Sequence, residues 1–144
     1  MSNQELIIRV DARERGKIIA RLESLEGVKL EIEDLEHGDY ILPNGVVVER
    51  KSATDFILSV VDEGVWAHVE ALAQTFHKVV YIIEGDPYVA RFHQKALDVH
   101  RAFARMILEY NVAVIPSSDA DNTAMMVFLL AQGELSRNDP SGPP

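Results

Sequence analysis

The segment 38–55, GDYILPNGVVVERKSATD, constrains the fold of this chain more than any other segment. Two short apolar runs flank a Pro-Asn-Gly turn at 43–45, which is the pattern of a β-hairpin. Asp39 stands at the start of the first run and Glu49 at the end of the second. Antiparallel pairing across so short a turn predicts that both carboxylates lie at the same end of a sheet.

Strand and helix patterns alternate through the rest of the chain. Strands are predicted at 6–10, 29–35, 79–83 and 112–115. Helices are predicted from about Glu14 to Gly27, after an N-cap at Ser52, over 66–76, over 97–110, and from a cap at Ser118 to about Gln132. The run VVYII at 79–83 does not alternate, which indicates a strand covered on both faces. The order predicts an α/β three-layer sandwich, with a mixed central sheet flanked by helices.

The length of 144 residues suits one domain, which we place at 1–133, followed by a disordered tail at 134–144. The chain contains no cysteine, so disulfides and thiolate metal sites are excluded. No apolar run reaches the roughly 18 residues of a membrane span, and the N-terminus does not resemble a signal peptide. We therefore expect no membrane contact and a cytoplasmic location, or a nucleoid or nuclear one.

The formal net charge of −9 opposes nonspecific attraction to nucleic acid. The charges are clustered, however. Acidic residues are concentrated in 23–36, whereas basic residues collect at 13–21 and again at 91–105. Net charge therefore does not decide whether nucleic acid is a partner.

Asp39 and Glu49 together would form a hard oxygen site, and such ligands suit Mg²⁺ or Mn²⁺. Lys51, two residues after Glu49, points to the same face of its strand, where an ammonium group can orient a hydroxide or meet charge developing on phosphorus. Asp11 ends the first predicted strand and joins the cluster if that strand neighbours the hairpin. These groups would support metal-assisted hydrolysis of a phosphodiester.

Each of these residues also has a plainer interpretation. Asp39 and Glu49 are acceptable as ordinary surface charges, and Ser52-x-x-Asp55 as a helix-capping sequence. The residues Arg13, Lys17 and Arg21 recur at helical spacing and suit a solvated helix face as well as a track for phosphates. No histidine has the spacing of a zinc site, and two of them, His37 and His68, are minor candidates for the cleft.

The last predicted helix contains AMMVFLLA at 124–131, which is apolar on all sides. A surface helix needs only one apolar stripe. This helix is therefore either buried by its own domain or shared with a twofold partner, and Phe128→Glu would produce a monomer in the second case.

Three strings occur in a fixed order: VDARE at 10–14, GDY at 38–40 and ERKSATD at 49–55. They resemble the signature of the XPF-type structure-specific endonucleases, in which GD is followed by ERK, three residues and Asp. The resemblance extends over about 6–132 and includes VVYIIEGD at 79–86. It implies a restriction-endonuclease-like fold and hydrolysis of branched, flap or fork DNA in repair or recombination, with Mg²⁺ or Mn²⁺ as cofactor.

The resemblance also implies a role for each matching position. Asp39 and Glu49 would hold the metal, with Asp11 as a further direct or water-mediated ligand, and Lys51 would position the attacking water. The residues expected to contact or position DNA phosphate are Arg13 and Arg50. Lys17, which lies outside the matching strings, is a further candidate from its helical spacing with Arg13. Those expected to support the metal site are Glu14 and Asp55.

Most members of that family carry paired helix-hairpin-helix motifs after the nuclease, and these are not found in this sequence. We therefore expect weak DNA binding by the chain alone, with a DNA-binding partner subunit supplying affinity. Family members dimerise through their nuclease domains, which favours a homodimer or heterodimer through residues 97–131. Two alternatives stay open: a nuclease-like interaction module without catalysis, and a sequence-specific restriction-type nuclease.

Overall fold

The computed structural model describes residues 5–14, 16–89 and 91–133, so the predicted tail at 134–144 lies outside the described residues. The strands are β1 Leu6–Asp11, β2 Val28–Glu33, β3 Tyr40–Ile41, β4 Val46–Ser52, β5 Lys78–Glu84 and β6 Ala113–Ser117. The helices are α1 Lys17–Glu23, α2 Ala53–Val61, α3 Gly64–Thr75, α4 Ala96–Tyr110 and α5 Ala120–Gln132. In this part of the chain, no helix is long and apolar enough to cross a membrane.

The strands form one mixed sheet in the order β2-β1-β3-β4-β5-β6. β3 pairs antiparallel with both β1 and β4, whereas the remaining neighbours pair parallel. The predicted hairpin therefore supplies the antiparallel part of the sheet. Because β1 is its neighbour, the ends of β1, β3 and β4 meet at one place.

Helices cover both faces of the sheet, which confirms the predicted three-layer sandwich. On one face, α1 and α5 pack against buried residues that include Val80 and Ile82 of β5. On the other, α2, α3 and α4 pack against Val79, Tyr81 and Ile83. β5 is thus buried on both sides, as its unbroken apolar sequence predicted.

Two helix starts differ from the prediction. α1 begins at Lys17, three residues later than expected, because Gly16 adopts a positive φ of 83° that a helix does not accept. α5 is capped by Asp119, whose Oδ1 accepts a hydrogen bond from the Asn122 amide at 2.8 Å, and not by Ser118. The predicted cap at Ser52 is confirmed, since its Oγ accepts from the Asp55 amide at 3.1 Å.

The apolar final helix is covered mostly by its own domain. Its residues Thr123, Ala124, Val127 and Ala131 are buried, and Phe128 is partly buried against the same core. α1 packs across α5, which explains why apolar residues extend beyond a single stripe. Phe128→Glu would therefore disturb the core of the domain and does not isolate a dimer contact.

Candidate active site

Three acidic residues meet where β1, β3 and β4 come together. The Asp11 amide donates to the Asp39 carbonyl at 2.9 Å, and the Asp39 amide donates to the Val48 carbonyl at 3.0 Å. Tyr40 pairs with Val48, so the preceding Asp39 lies beside Glu49. The carboxylates thus lie at the same end of the sheet, as the hairpin predicted.

Gly38 adopts a backbone conformation that places the next residue, Asp39, in the site. Its φ of +85° is unfavourable for other residues, and an added Cβ would overlap the side chain of Val47. Any other residue at this position would shift the adjoining Asp39. In the Gly-Asp pair, Gly38 is therefore needed for its backbone conformation, and Asp39 for its carboxylate.

A cavity of about 310 Å³ opens over these carboxylates. It is lined by Asp11, Arg13, Glu14, Glu36, Gly38, Asp39, Glu49 and His68. Most of the side chains are acidic, so the cavity suits a cation better than a phosphate.

Asp39 is the most perturbed of these acids. Burial, followed by the neighbouring charge of Glu49, raises its pKa from 3.8 to about 8. The Arg50 amide donates to its Oδ2 at 2.8 Å and opposes that rise only in part. The other carboxylate oxygen of Asp39 accepts no hydrogen bond from the described residues.

Glu49 is held in a similar way. Its Oε2 lies 2.9 Å from Nε2 of His68. Its Oε1 is buried and has no hydrogen-bond partner within the described ranges, and neither has the buried hydroxyl of Tyr81, the residue paired with Glu49 on β5. Burial and the charges of Glu49 and Asp39 raise the Tyr81 pKa. An unpaired carboxylate oxygen here is costly unless a cation or water meets it.

Asp11 is engaged by its neighbours. Its Oδ2 accepts from Nε of Arg13 at 2.8 Å, and its Oδ1 accepts from the Leu35 amide at 3.2 Å. The Arg13 guanidinium holds the pKa of this carboxyl below its usual range. Both oxygens of Asp11 are thus occupied, and its role as a metal ligand stays a prediction.

These contacts test whether the residues suit Mg²⁺ or Mn²⁺. No three His, Asp or Glu side chains of the described residues are grouped so that all could hold one ion. Asp39 and Glu49, however, each have one oxygen that accepts no hydrogen bond from the described residues. Two carboxylates with the remaining positions left to water and substrate match the preference of Mg²⁺, so the donor set fits.

The other predicted site residues are dispersed around this cavity. Glu14 accepts a hydrogen bond from the buried Tyr40 hydroxyl at 2.6 Å. Lys51 follows Glu49 on β4 but does not line the cavity, and Asp55 is exposed in the first turn of α2. Lys17 is exposed at the start of α1.

Arg50 faces the opposite side of β4 from Glu49. Its Nη2 lies 2.7 Å from Oε2 of Glu84, and this ion pair lowers the Glu84 pKa. Thr123 of α5 donates to the same carboxylate at 2.6 Å. The predicted phosphate contact of Arg50 would therefore compete with Glu84.

His68 is the functional candidate that the sequence indicated most weakly. It lies on α3 among the buried Val65, Val69 and Leu72, 19 residues along the chain from Glu49. Helical spacing predicts which side of α3 is apolar. It does not predict the angle at which α3 packs on the sheet, and this angle decides whether His68 reaches Glu49. His37, the other histidine considered, does not line the cavity.

Comparison with known proteins identifies the family of this arrangement. The model of the ERCC4 domain matches residues 10–130. The 3'-flap repair endonuclease Xpf of Saccharolobus solfataricus is 27% identical over 130 residues, which are 88% of this chain and 56% of that protein. The Fanconi anemia group M protein of Gallus gallus is 29% identical over 140 residues, which are 92% of this chain and 7% of that protein.

A solved structure shares the fold. XPF from Aeropyrum pernix, determined in complex with DNA, superposes with a TM-score of 0.84 and 31% identity, covering 89% of this chain and 64% of that one. The chain spans about half of the first of these two curated relatives and less than a tenth of the second. The predicted restriction-endonuclease-like nuclease fold is confirmed by this likeness.

Proposed function

The chain belongs to the ERCC4 domain family, and from this premise we propose that it is a divalent-metal-dependent endonuclease. Its reaction is the hydrolysis of phosphodiester bonds in branched, flap or fork DNA, in repair or recombination. One observation supports the proposal most strongly. Two neighbouring carboxylates, half-buried Asp39 and buried Glu49, each have one oxygen within hydrogen-bond distance of a protein nitrogen. Among the described residues, no hydrogen bond reaches the other oxygen of either carboxylate. Adjacent carboxylates that are largely shielded from water are unfavourable without a cation between them.

Asp39 and Glu49 are the residues that would hold Mg²⁺ or Mn²⁺. A bound divalent ion supplies a water of lowered pKa and offsets the charge on the scissile phosphate. Asp39 must lose its proton to serve as a ligand, and its raised pKa makes this step sensitive to pH below about 8. Lys51, farther along the same face of β4, supports orientation of the attacking water.

Arg13 stands at the rim of the cavity. Its side chain is 74% exposed although it pairs with Asp11. Among the described residues that line the cavity it is the one arginine or lysine, and in this role it would contact a phosphate of DNA entering there. Asp11 would then act by orienting Arg13 as well as by any contact with metal-bound water.

The proposed enzyme is a dimer, formed with a second copy of the chain or with a related subunit. β6 is an edge strand of the sheet, and beside it lies a mostly apolar cavity of about 280 Å³. We name this surface the α4–β6 patch; its residues are Ile83, Pro87, Tyr88, Phe103, Ile107, Val114 and Pro116. Two side chains of this patch, Tyr88 and Ile107, are 45% and 51% exposed, and apolar side chains exposed together favour a dimer contact that includes part of the predicted range 97–131.

The direct test compares substrates of one sequence: a flap, a fork and plain duplex, each end-labelled, in Mg²⁺, in Mn²⁺ and in EDTA. Structure-specific activity predicts metal-dependent cuts near the branch and little cutting of the duplex. Equal cutting of all three at one sequence would contradict structure specificity and favour a restriction-type nuclease. The mapped cut positions would also give the polarity.

The net charge of −9 favours one alternative, a nuclease-like module that dimerises and supplies architecture without catalysis. A salt titration with fluorescent fork DNA distinguishes the two. Binding through phosphate contacts must weaken steeply as salt rises. Binding that is undetectable or insensitive to salt, together with no cleavage, would favour the module.

A further inference from the structure

We propose that His68 is a positioning residue that holds the Glu49 carboxylate ready for the metal ion. This inference rests on the proposed function, and it concerns a residue outside the three motif strings of the sequence. It requires His68 to donate a hydrogen bond to Glu49 and to do so from a fixed place. Both conditions are met by the contacts of the two side chains.

The first condition concerns the hydrogen bond. Nε2 of His68 lies 2.9 Å from Oε2 of Glu49, which is a usual distance for an N–H···O hydrogen bond. A carboxylate that binds a metal ion is ionised and only accepts hydrogen bonds, so in the metal-binding form of the pair Nε2 carries the hydrogen. The Glu49 side chain is 9% exposed, so little solvent is available to replace this donor.

The second condition concerns the ring itself. α3 is held to the domain by buried Val65, Val69 and Leu72, and His68 projects from the same side of that helix. Its ring meets the Tyr81 ring edge-on, with centroids 6.4 Å apart and planes at 85°. The ring therefore has two contacts, one to the carboxylate and one to an aromatic side chain buried in the sheet.

Asp39 provides an internal comparison. Its Oδ2 is held by the Arg50 amide, a backbone donor that no side-chain substitution removes. His68 does for Glu49 what this amide does for Asp39, because in each case the bond fixes one oxygen while the other has no hydrogen-bond partner in the described part of the chain. Hydrogen bonds to ligating groups of this kind commonly affect metal affinity by about 10- to 100-fold.

Two substitutions separate the hydrogen bond from the bulk of the ring. Gln at position 68 offers an amide N–H at about the same reach as Nε2, whereas Leu fills similar space without a donor. His68 is 40% exposed, so both variants should keep the fold. The matched controls are His77→Gln and His77→Leu, because His77 is exposed at the opposite end of the sheet, beside the turn at Gly45.

The experiment measures Mn²⁺ affinity of the purified chain by the electron paramagnetic resonance signal of free Mn²⁺, without DNA. Thermal unfolding in EDTA is recorded for each variant to establish that it is folded. We expect His68→Leu to weaken Mn²⁺ binding about tenfold or more, His68→Gln to stay within about threefold of wild type, and both His77 variants to bind as wild type does.

Two results would overturn this inference while leaving the proposed function intact. One is wild-type Mn²⁺ affinity in folded His68→Leu. The other is equal weakening in His68→Gln and His68→Leu, since the donor would then not be what matters. Failure of the wild type itself to bind Mn²⁺ would instead overturn the proposed metal site and this inference with it.

Discussion

At the scale of single residues, the site depends on acids that are kept close together and partly out of water. Asp39 and Glu49 were predicted as partners from the hairpin, because strand alternation and turn length fix which residues meet. The contact with His68 was not predictable, since it joins a helix to a strand. The contacts of Asp11 with Arg13 and Leu35 were not predictable either, because Leu35 contributes a backbone amide that every residue except proline carries.

The raised pKa of Asp39 predicts a pH dependence of stability in the absence of divalent metal. Its folded pKa of about 8 lies above the ordinary 3.8, so its protonation stabilises the fold fully below about pH 4. That contribution is lost as pH rises through about 8. Asp39→Asn removes the titration, so the free energy of unfolding of this variant relative to wild type should increase from pH 5 to pH 8.5, by a few kcal/mol at most.

Urea unfolding in EDTA at several pH values measures this difference. Adding Mg²⁺ should stabilise wild type more at pH 8 than at pH 6, because the ion competes with the proton on Asp39. A difference between variant and wild type that stays constant across this range would mean that Asp39 titrates normally.

At the scale of elements, the hairpin and β5 followed from local sequence, whereas contacts between distant elements did not. The Pro-Asn-Gly turn alone predicts the hairpin, and the unbroken VVYII run alone predicts a strand buried on both faces. Arg50 was expected at the phosphate, yet its guanidinium pairs with Glu84, which is 34 residues away on β5. Similarly, the sequence of α5 indicated that it is covered on several sides but not that α1 supplies part of the cover.

The contact between α5 and β5 predicts a loss of stability. Thr123 is fully buried; its hydroxyl donates to Glu84 at 2.6 Å and lies 2.8 Å from the Ser117 hydroxyl. Thr123→Val keeps the shape but removes this hydrogen bonding, so it should lower the free energy of unfolding by about 1–3 kcal/mol. Urea denaturation measures the loss.

Thr75→Val is the matched control, because Thr75 is exposed and its hydroxyl bonds only the Ala71 carbonyl within the described residues. It should change stability by less than about 0.5 kcal/mol. Equal losses of unfolding free energy in Thr123→Val and Thr75→Val would mean that the buried hydrogen bonds of Thr123 stabilise the fold no more than an exposed hydroxyl does.

The α4–β6 patch predicts an oligomeric state. Ile107 lines this patch and is 51% exposed, so a charge placed there should leave the monomer folded and oppose burial against a second copy. Ile107→Glu is expected to sediment as a monomer at concentrations where wild type is a dimer. Leu58→Glu, at a similarly exposed position on α2, should leave the dimer intact. Wild-type sedimentation as a monomer would contradict the proposed interface.

At the scale of the whole molecule, the negative net charge opposes binding of the DNA on which the proposed active site would act. The net charge of −9 opposes DNA, whereas the fold and the motif are those of proteins that include a DNA-bound structure. A cation in the acidic cavity and a partner chain would both reduce this opposition. Composition alone therefore argued against the partner that the motif indicated.

Single-turnover cleavage of one fork substrate in Mg²⁺ by wild type, Glu49→Gln and Glu23→Gln tests whether the carboxylates of this cavity perform the hydrolysis. The last is a matched control, since Glu23 is exposed at the end of α1. We expect wild type and Glu23→Gln to cut near the branch at equal rates, and folded Glu49→Gln to be about a hundredfold slower or inactive. Cleavage by Glu49→Gln at the wild-type rate would contradict this role of the carboxylates.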